Sequence, residues 1–144
     1  MSDSLQVVCP GCDGVNRLTG ERLGGEEKCG LCGTELFSAK PVELDGQRFQ
    51  KHVRRNDIPV LVDFWSPWCG PCRAMAPAYA QAAVTLEPEV RLAKVNTAQA
   101  QELSLQYGIR SIPILLLFRQ GAEVARTAGA MEAQDLVAWT RGHL

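Results

Sequence analysis

The sequence contains no apolar run long enough to cross a membrane, because its longest run covers only residues 112–118, whereas a membrane helix needs about 18 apolar residues or more. Neither charge is in excess: 15 Lys and Arg residues are balanced by 16 Asp and Glu residues, for a net charge of −1. This balance argues against an extended basic surface for nucleic acid or anionic lipid. No Gly-x-Gly-x-x-Gly motif is present, so we expect the chain to bind no flavin or nucleotide of its own.

The first residues also lack the basic segment and the apolar segment of a secretory signal peptide. We therefore expect a cytoplasmic protein, in a compartment where stable structural disulfides are rare. Six cysteines among 144 residues then indicate metal binding or redox chemistry. With 46% hydrophobic residues, the chain can bury one good core and leave roughly 40 residues outside it.

Cys69 and Cys72 lie where a predicted strand passes into a predicted helix. The strand is the apolar segment 59–65, and the helix continues from the cysteines to about Leu86. At a helix N-terminus the unpaired N–H groups favour a thiolate, and a cysteine three residues later is close enough for a short-loop disulfide. Pro71 suits the first helical turn. The spacing predicts a redox-active pair; an inert buried pair or half of a metal site are the alternatives.

A second set of cysteines precedes this region. It consists of two Cys-x-x-Cys pairs separated by sixteen residues: Cys9, Cys12, Cys29 and Cys32. The spacing predicts one structural Zn²⁺ per chain, bound by four thiolates with no open coordination position. Few apolar side chains lie between the pairs, so we expect the metal to supply the folding free energy of this region. Two disulfides, a rubredoxin-like iron centre, or a catalytic pair at Cys9 and Cys12 are the alternatives.

The rest of the chain alternates between predicted strands and helices. The patterns place strands at 41–45, 59–65, 90–96, 114–118 and 123–127, and helices at 46–56, 70–86, 99–107 and 131–142. This order predicts an α/β fold with a mixed sheet covered by helices. We expect a four-cysteine zinc-ribbon-like domain at 1–40 and a second domain at 41–144. His52, in the first helix, has no partner motif, and we expect it to be exposed.

Several of these segments resemble the thioredoxin family in their order and spacing. The motifs that carry the resemblance are VDFW at 62–65, WCGPC at 68–72, KVN at 94–96, GIRSIP at 108–113, and Gly129. The four-cysteine prefix is similar to that of a zinc-containing bacterial subtype, thioredoxin 2. The resemblance implies the thioredoxin fold, in which a central mixed β-sheet is flanked by helices, and the activity of a protein-disulfide reductase.

The resemblance also implies catalytic roles for four residues. Cys69 would be the attacking thiolate and Cys72 the resolving thiol, and the two would close a redox-active disulfide. Asp63 is a carboxyl on an otherwise apolar strand, so burial should raise its pKa, and the family role implied for it is that of acid and base for Cys72. Lys94 would hold the charge of Asp63. The alternative is that Asp63 and Lys94 form a purely structural pair.

The remaining implied roles concern client binding. The residues expected around Cys69 are Trp68, Gly70, Pro71, Ile112, Pro113 and Gly129. The Ile112–Pro113 bond would be cis, and because Pro113 has no N–H, the backbone of Ile112 would be left to pair with an extended client segment. Ser66 and Pro67 depart from the commonest pattern, since many thioredoxins carry an acidic residue there, and this departure bears on partner preference.

As a function, the resemblance implies reduction of disulfides in cytoplasmic target proteins by dithiol–disulfide exchange, with recharging by thioredoxin reductase. We expect a monomer with no nucleic-acid or membrane partner. An alternative is a zinc-gated redox sensor or holdase whose N-terminal module releases zinc on oxidation. An oxidase or isomerase is a third option, although the Gly-Pro between the cysteines is typical of the reducing members.

Overall fold

The structure, a computed structural model, describes residues 4–19, 23 and 26–144. Its strands and helices are, in chain order, β1 (Ser4–Val8), β2 (Val15–Thr19), β3 (Val42–Glu43), α1 (Gly46–Arg55), β4 (Val60–Trp65), α2 (Gly70–Leu86), β5 (Arg91–Asn96), α3 (Gln101–Gln106), β6 (Ile114–Arg119), β7 (Ala122–Ala128) and α4 (Ala133–Arg141). We refer to the described residues between 4 and 40 as the cysteine module and to residues 41–144 as the body. No described helix is long and apolar enough to cross a membrane.

The body is built on a five-stranded sheet in the order β3-β5-β4-β6-β7. β3 and β4 run parallel to β5, whereas β6 runs antiparallel to β4 and β7 antiparallel to β6. β4 is the central strand because its residues are apolar apart from Asp63 and can be buried on both faces. The predicted mixed sheet flanked by helices is therefore confirmed.

The two faces of the sheet carry separate cores. On one face Val62 and Phe64 pack with Phe49 of α1 and Leu103 of α3. On the other face Leu61 packs with residues of α2 and α4, and the Tyr79 hydroxyl of α2 lies within hydrogen-bond distance of backbone carbonyls on β4 and β5, at 2.9 and 2.8 Å. This contact fixes α2, and the cysteines at its start, against the centre of the sheet.

Two helices begin two residues later than predicted. We expected them at 99 and 131, whereas α3 begins at Gln101 and α4 at Ala133. Neither helix has a side chain that caps its first N–H groups, so the sequence carries no strong N-terminal signal that would define the start. The other elements of the body lie where the apolar patterns place them, within one or two residues.

The cysteine module contains a feature that the sequence did not indicate. β1 and β2 form an antiparallel hairpin, with Val8 opposite Val15, and a small core of Val7, Leu18 and Leu36 lies beneath it together with the buried Cys9 and Cys29.

The expectation that His52 is exposed is wrong. The side chain is completely buried, because the cysteine module covers this side of α1 and brings the Asp13 carboxylate to 2.8 Å from His52 Nε2.

Candidate active site and metal centre

Cys69 and Cys72 occupy the first turn of α2, directly after β4. Cys69 is the N-cap of the helix, and its sulfur accepts the N–H of Cys72 at 3.2 Å, as expected where the first N–H groups have no helical partner. The two cysteines form a disulfide with their Cα atoms 5.2 Å apart. Cys69 is half-buried and Cys72 buried, so the first sulfur is the one that another protein can reach.

A second loop faces Cys69 from across the site. The Cys69 sulfur lies 3.7 Å from the carbonyl oxygen of Ile112, and the Ile112–Pro113 bond is cis. Gly129 donates its N–H to the Pro113 carbonyl at 2.9 Å and has a φ of +102°, a conformation that favours glycine. Four residues named from the sequence, on three separate segments, therefore lie together.

The surface around the disulfide is apolar and open. Trp68 is 80% exposed immediately before Cys69. A groove of about 440 Å³ extends from Ile112 along Ile109 to the exposed Leu105. Gly70 and Pro71, the other two residues expected here, are exposed at the start of α2.

Asp63 is buried within β4, on the face that α2 covers. Only 1% of it is exposed, and its Oδ1 has no hydrogen-bond partner within the described residues. Burial raises the pKa of this carboxyl to about 7, although the positive charge of Lys94 opposes the rise. A group with this pKa can accept or release a proton near neutrality.

Lys94 lies beside Asp63 in the register of β4 and β5. Its Nζ is 4.5 Å from the centre of the Trp65 ring, a cation–π geometry, and within the described chain no ion pair joins it to Asp63 at 4.0 Å or less. Lys94 thus acts on Asp63 through its field and not through a direct contact.

The four module cysteines converge on one point. Their sulfur atoms all lie within 4.8 Å of one another, and two pairs, Cys9–Cys32 and Cys12–Cys29, are 3.6 Å apart. Four sulfurs at about 2.3 Å from a tetrahedral Zn²⁺ would be separated by about 3.8 Å. Backbone N–H groups point at three of the sulfurs, for example from Gly11 to Cys9 at 3.3 Å. The site therefore fits a four-thiolate metal centre of zinc-ribbon type.

The thiols of this cluster differ in acidity. A hydrogen bond from the Asn16 side chain lowers the pKa of Cys29 to about 6. For Cys12, the Gly14 N–H favours the thiolate, but bonding to the Cys32 thiol and burial outweigh it and raise its pKa to about 12. Close thiols share protons in this way because adjacent thiolates repel each other, and a cation between them removes the conflict.

Sequence reasoning missed the side chains that join the module to the body. Arg48 and His52 lie four residues apart on α1, Asn56 follows at the same spacing as the residue that ends the helix, and each lies within hydrogen-bond distance of the module. Arg91, at the start of β5, is fully buried and donates to the Val8 carbonyl at 3.2 Å. Polar residues at helical spacing are also what an exposed helix face carries, so the sequence alone contains no signal that sets these residues apart.

Comparisons with known proteins agree with this geometry. The thioredoxin family model matches residues 40–142. Thioredoxin C-3 of Corynebacterium nephridii is 41% identical over 133 residues, which cover 92% of this chain and 91% of the relative; so long a match must extend into the cysteine module. Thioredoxin 1 of a Nostoc species is 44% identical over 102 residues, 71% of this chain and 95% of the relative.

Among solved structures, a mutant thioredoxin from Halobacterium salinarum superposes with a TM-score of 0.66 at 28% identity. The match covers 73% of this chain and 91% of that one.

Proposed function

The chain belongs to the thioredoxin family of protein-disulfide reductases, and from this premise we propose that it reduces disulfides of cytoplasmic proteins through Cys69 and Cys72. The observation that carries the proposal is the half-buried Cys69 sulfur at the start of α2, in a disulfide with Cys72 and beside the Ile112 carbonyl. We further propose that thioredoxin reductase recharges the pair and that the chain acts as a monomer.

The reaction follows from the chemistry of thiol–disulfide exchange. The Cys69 thiolate attacks one sulfur of a client disulfide, forms a mixed disulfide and releases the other client sulfur as a thiolate. Cys72 then gives its proton, by way of water, to the Asp63 carboxylate and attacks the Cys69 sulfur. The second client sulfur leaves, the Cys69–Cys72 disulfide closes, and two electrons have passed from the chain to the client. The pKa of about 7 at Asp63 suits this proton transfer, and the field of Lys94 supports the charged form of the carboxyl.

Client binding would use the apolar surface around Cys69. Trp68 is exposed, Gly70 and Pro71 leave the first turn of α2 open, and the Ile112–Pro113 segment and Gly129 form the opposite side. We propose that an extended client segment pairs with the backbone of Ile112 by β-augmentation. The groove that leads from Ile112 to Leu105 offers further contact area to client residues that flank the disulfide.

The reductase proposal is tested with insulin, whose reduced chains precipitate. Cys69→Ser should abolish reduction, because no thiolate remains at the accessible position. Val84→Ser, an exposed position near the far end of the same helix, serves as the control and should retain full activity. Undiminished reduction by Cys69→Ser would refute the assignment.

We also propose that the four module cysteines bind one structural Zn²⁺ per chain, as in the thioredoxin 2 subtype, and that residues 1–40 and 41–144 are the two domains. The sulfur geometry supports the metal, and the four ligands leave no coordination position for a substrate. Metal analysis of the reduced protein should find one zinc per chain, with only Cys69 and Cys72 alkylated readily. Absence of metal, or six equally reactive thiols, would contradict the site. The comparisons give no support to the redox-sensor or holdase alternative, and we do not put it forward.

A further inference from the structure

The two cysteine turns of the module are built alike. We call residues 9–14 the first knuckle and residues 29–34 the second knuckle. In each, the first cysteine donates its N–H to the carbonyl five residues later, at 2.8 Å, and its own carbonyl accepts the N–H four residues later, at 3.0 and 2.9 Å. Each knuckle has one buried and one exposed cysteine. By their internal bonds alone, the two knuckles should be equally stable.

The knuckles differ at one corresponding position. Both backbones turn to a positive φ directly after the second cysteine, at Asp13 with φ 65° and at Gly33 with φ 79°. Glycine adopts this conformation freely, whereas an aspartate does so at some energetic cost. A compensating interaction is therefore expected at Asp13, and the structure contains one.

The Asp13 carboxylate is bound by two side chains of α1. Arg48 donates from Nε at 2.9 Å and contacts the same carboxylate through Nη2 at 2.8 Å, while Nη2 also donates to the Pro10 carbonyl at 2.8 Å. The fully buried His52 also contacts this carboxylate, with its Nε2 at 2.8 Å from Asp13 Oδ1. The body thus holds the end of the first knuckle and one of its carbonyls.

The body also holds the residue that precedes Cys9. Val8 donates its N–H to Asn56 Oδ1 at 2.8 Å, and its carbonyl accepts from Arg91 Nη2 at 3.2 Å. Asn56 and Arg91 are fully buried, and Arg91 is itself paired with Glu87 at 3.2 Å. The first knuckle is therefore fixed on both sides by buried or half-buried groups of the body.

Among the described residues, the second knuckle itself receives no equivalent support from the body, whose contacts on this side are with Phe37 and Ala39, beyond the knuckle. Throughout the part of the chain that the structure describes, the hydrogen bonds of residues 29–34 stay within the module. Asn16 of β2 accepts the N–H of Gly30 at 2.9 Å and donates to the Cys29 sulfur at 3.4 Å. Leu31, at the tip of this knuckle, is 75% exposed.

From this difference we propose that the metal centre is asymmetric: the first knuckle is a preformed half-site held by the body, and the second knuckle opens when the metal leaves. The inference rests on the metal site proposed above. In small metal sites the ion normally supplies the free energy that orders its ligands. Here Cys9 and Cys12 are ordered by contacts with the body that do not involve the ion, whereas the contacts of Cys29 and Cys32 stay within the module, so their position depends more strongly on the ion.

The test compares matched groups in the two knuckles before and after removal of zinc by a chelator. The full chain carries Cys69→Ser and Cys72→Ser, so that the four module cysteines are the only thiols. Amide hydrogen exchange is followed by NMR at Cys9 and Asp13 against Cys29 and Gly33. Alkylation of the two buried thiols, Cys9 and Cys29, is followed by peptide mapping.

After chelation, Cys29 and Gly33 should lose protection, whereas Cys9 and Asp13 should stay at least about tenfold more protected, the factor that one or two hydrogen bonds supply. Cys29 should likewise be alkylated at least about tenfold faster than Cys9. Equal rates at the two knuckles, or faster reaction of Cys9, would overturn the inference while leaving the metal site intact. If the purified chain binds no zinc, the metal site and the inference fail together.

Asp13→Gly is the matched variant, because glycine accepts the positive φ and removes the contacts with Arg48 and His52. It should reduce the difference between the two knuckles after chelation by about threefold or more, while the contacts of Asn56 and Arg91 with Val8 retain the rest. Arg54→Ala, on the exposed side of α1, is the control and should leave the tenfold difference unchanged. An undiminished difference in Asp13→Gly would mean that the body contacts at Asp13 do not hold the first knuckle, and would overturn the proposed cause.

Discussion

Asp63→Asn should stabilise the protein at neutral and alkaline pH and leave its stability nearly unchanged in acid. Asn keeps the shape of the side chain but cannot ionise. In the wild-type protein the carboxyl lies in β4 with 1% exposure and an Oδ1 that has no partner among the described residues. Ionisation there is unfavourable, whereas the unfolded chain ionises the same group freely in water.

The size and sign follow from linkage. Burial raises the pKa of Asp63 from its ordinary value of 3.8 to about 7 in the folded state. The folded protein therefore holds a proton that the unfolded chain releases, so this stabilising contribution is complete below pH 4 and is lost as the pH rises through 7. One pKa unit corresponds to about 1.36 kcal/mol, so the loss amounts to roughly 4 kcal/mol as an upper estimate.

Urea denaturation of the oxidised protein at pH 4, 6 and 8 measures this effect. The free energy of unfolding of Asp63→Asn minus that of the wild type should grow steadily from pH 4 to pH 8. Asp135→Asn, at an exposed position in the first turn of α4, is the control and should show almost no such trend. A constant difference between Asp63→Asn and the wild type across this range would refute the reasoning that folded Asp63 keeps its proton until the pH approaches 7.

Three further substitutions separate buried from exposed contacts and stability from client binding. Arg91→Ala should lower the free energy of unfolding by about 3–5 kcal/mol in urea denaturation, because it leaves Glu87 buried without its ion-pair partner. Arg126→Ala, which breaks the exposed pair with Glu123, should lower it by at most about 1 kcal/mol. Equal losses would contradict a structural role for the buried Arg91–Glu87 pair. Trp68→Ala should change the free energy of unfolding by no more than about 0.5 kcal/mol, since the ring is exposed. It should raise the KM for insulin but not the KM for a small disulfide. An unchanged KM for insulin would exclude Trp68 from client binding.

The sequence was most informative where the determinants are local. β4 is an apolar run next to a Cys-x-x-Cys spacing, so the strand, the helix start and the redox pair could all be predicted from a dozen neighbouring residues. The four module cysteines were predictable for the same reason, since the spacing within each pair sets the turn. Asp63 stood out as a single carboxyl in an apolar strand, and its environment has the expected effect on its pKa.

The contacts between the module and the body could not be predicted, because they join residues far apart in the chain. His52 has its partner 39 residues away at Asp13, and Arg91 has one 83 residues away at Val8. Only after the module is placed on α1 does the polar spacing of that helix acquire its meaning.

Mass spectrometry of the Cys72→Ser variant after reaction with insulin tests the central claim most directly. If Cys69 is the sulfur that attacks the client, the reaction should stop at a covalent adduct in which Cys69 is joined to an insulin cysteine, since no resolving thiol remains. The absence of an adduct, or an adduct that forms equally well when Cys69 is also replaced by Ser, would contradict the account.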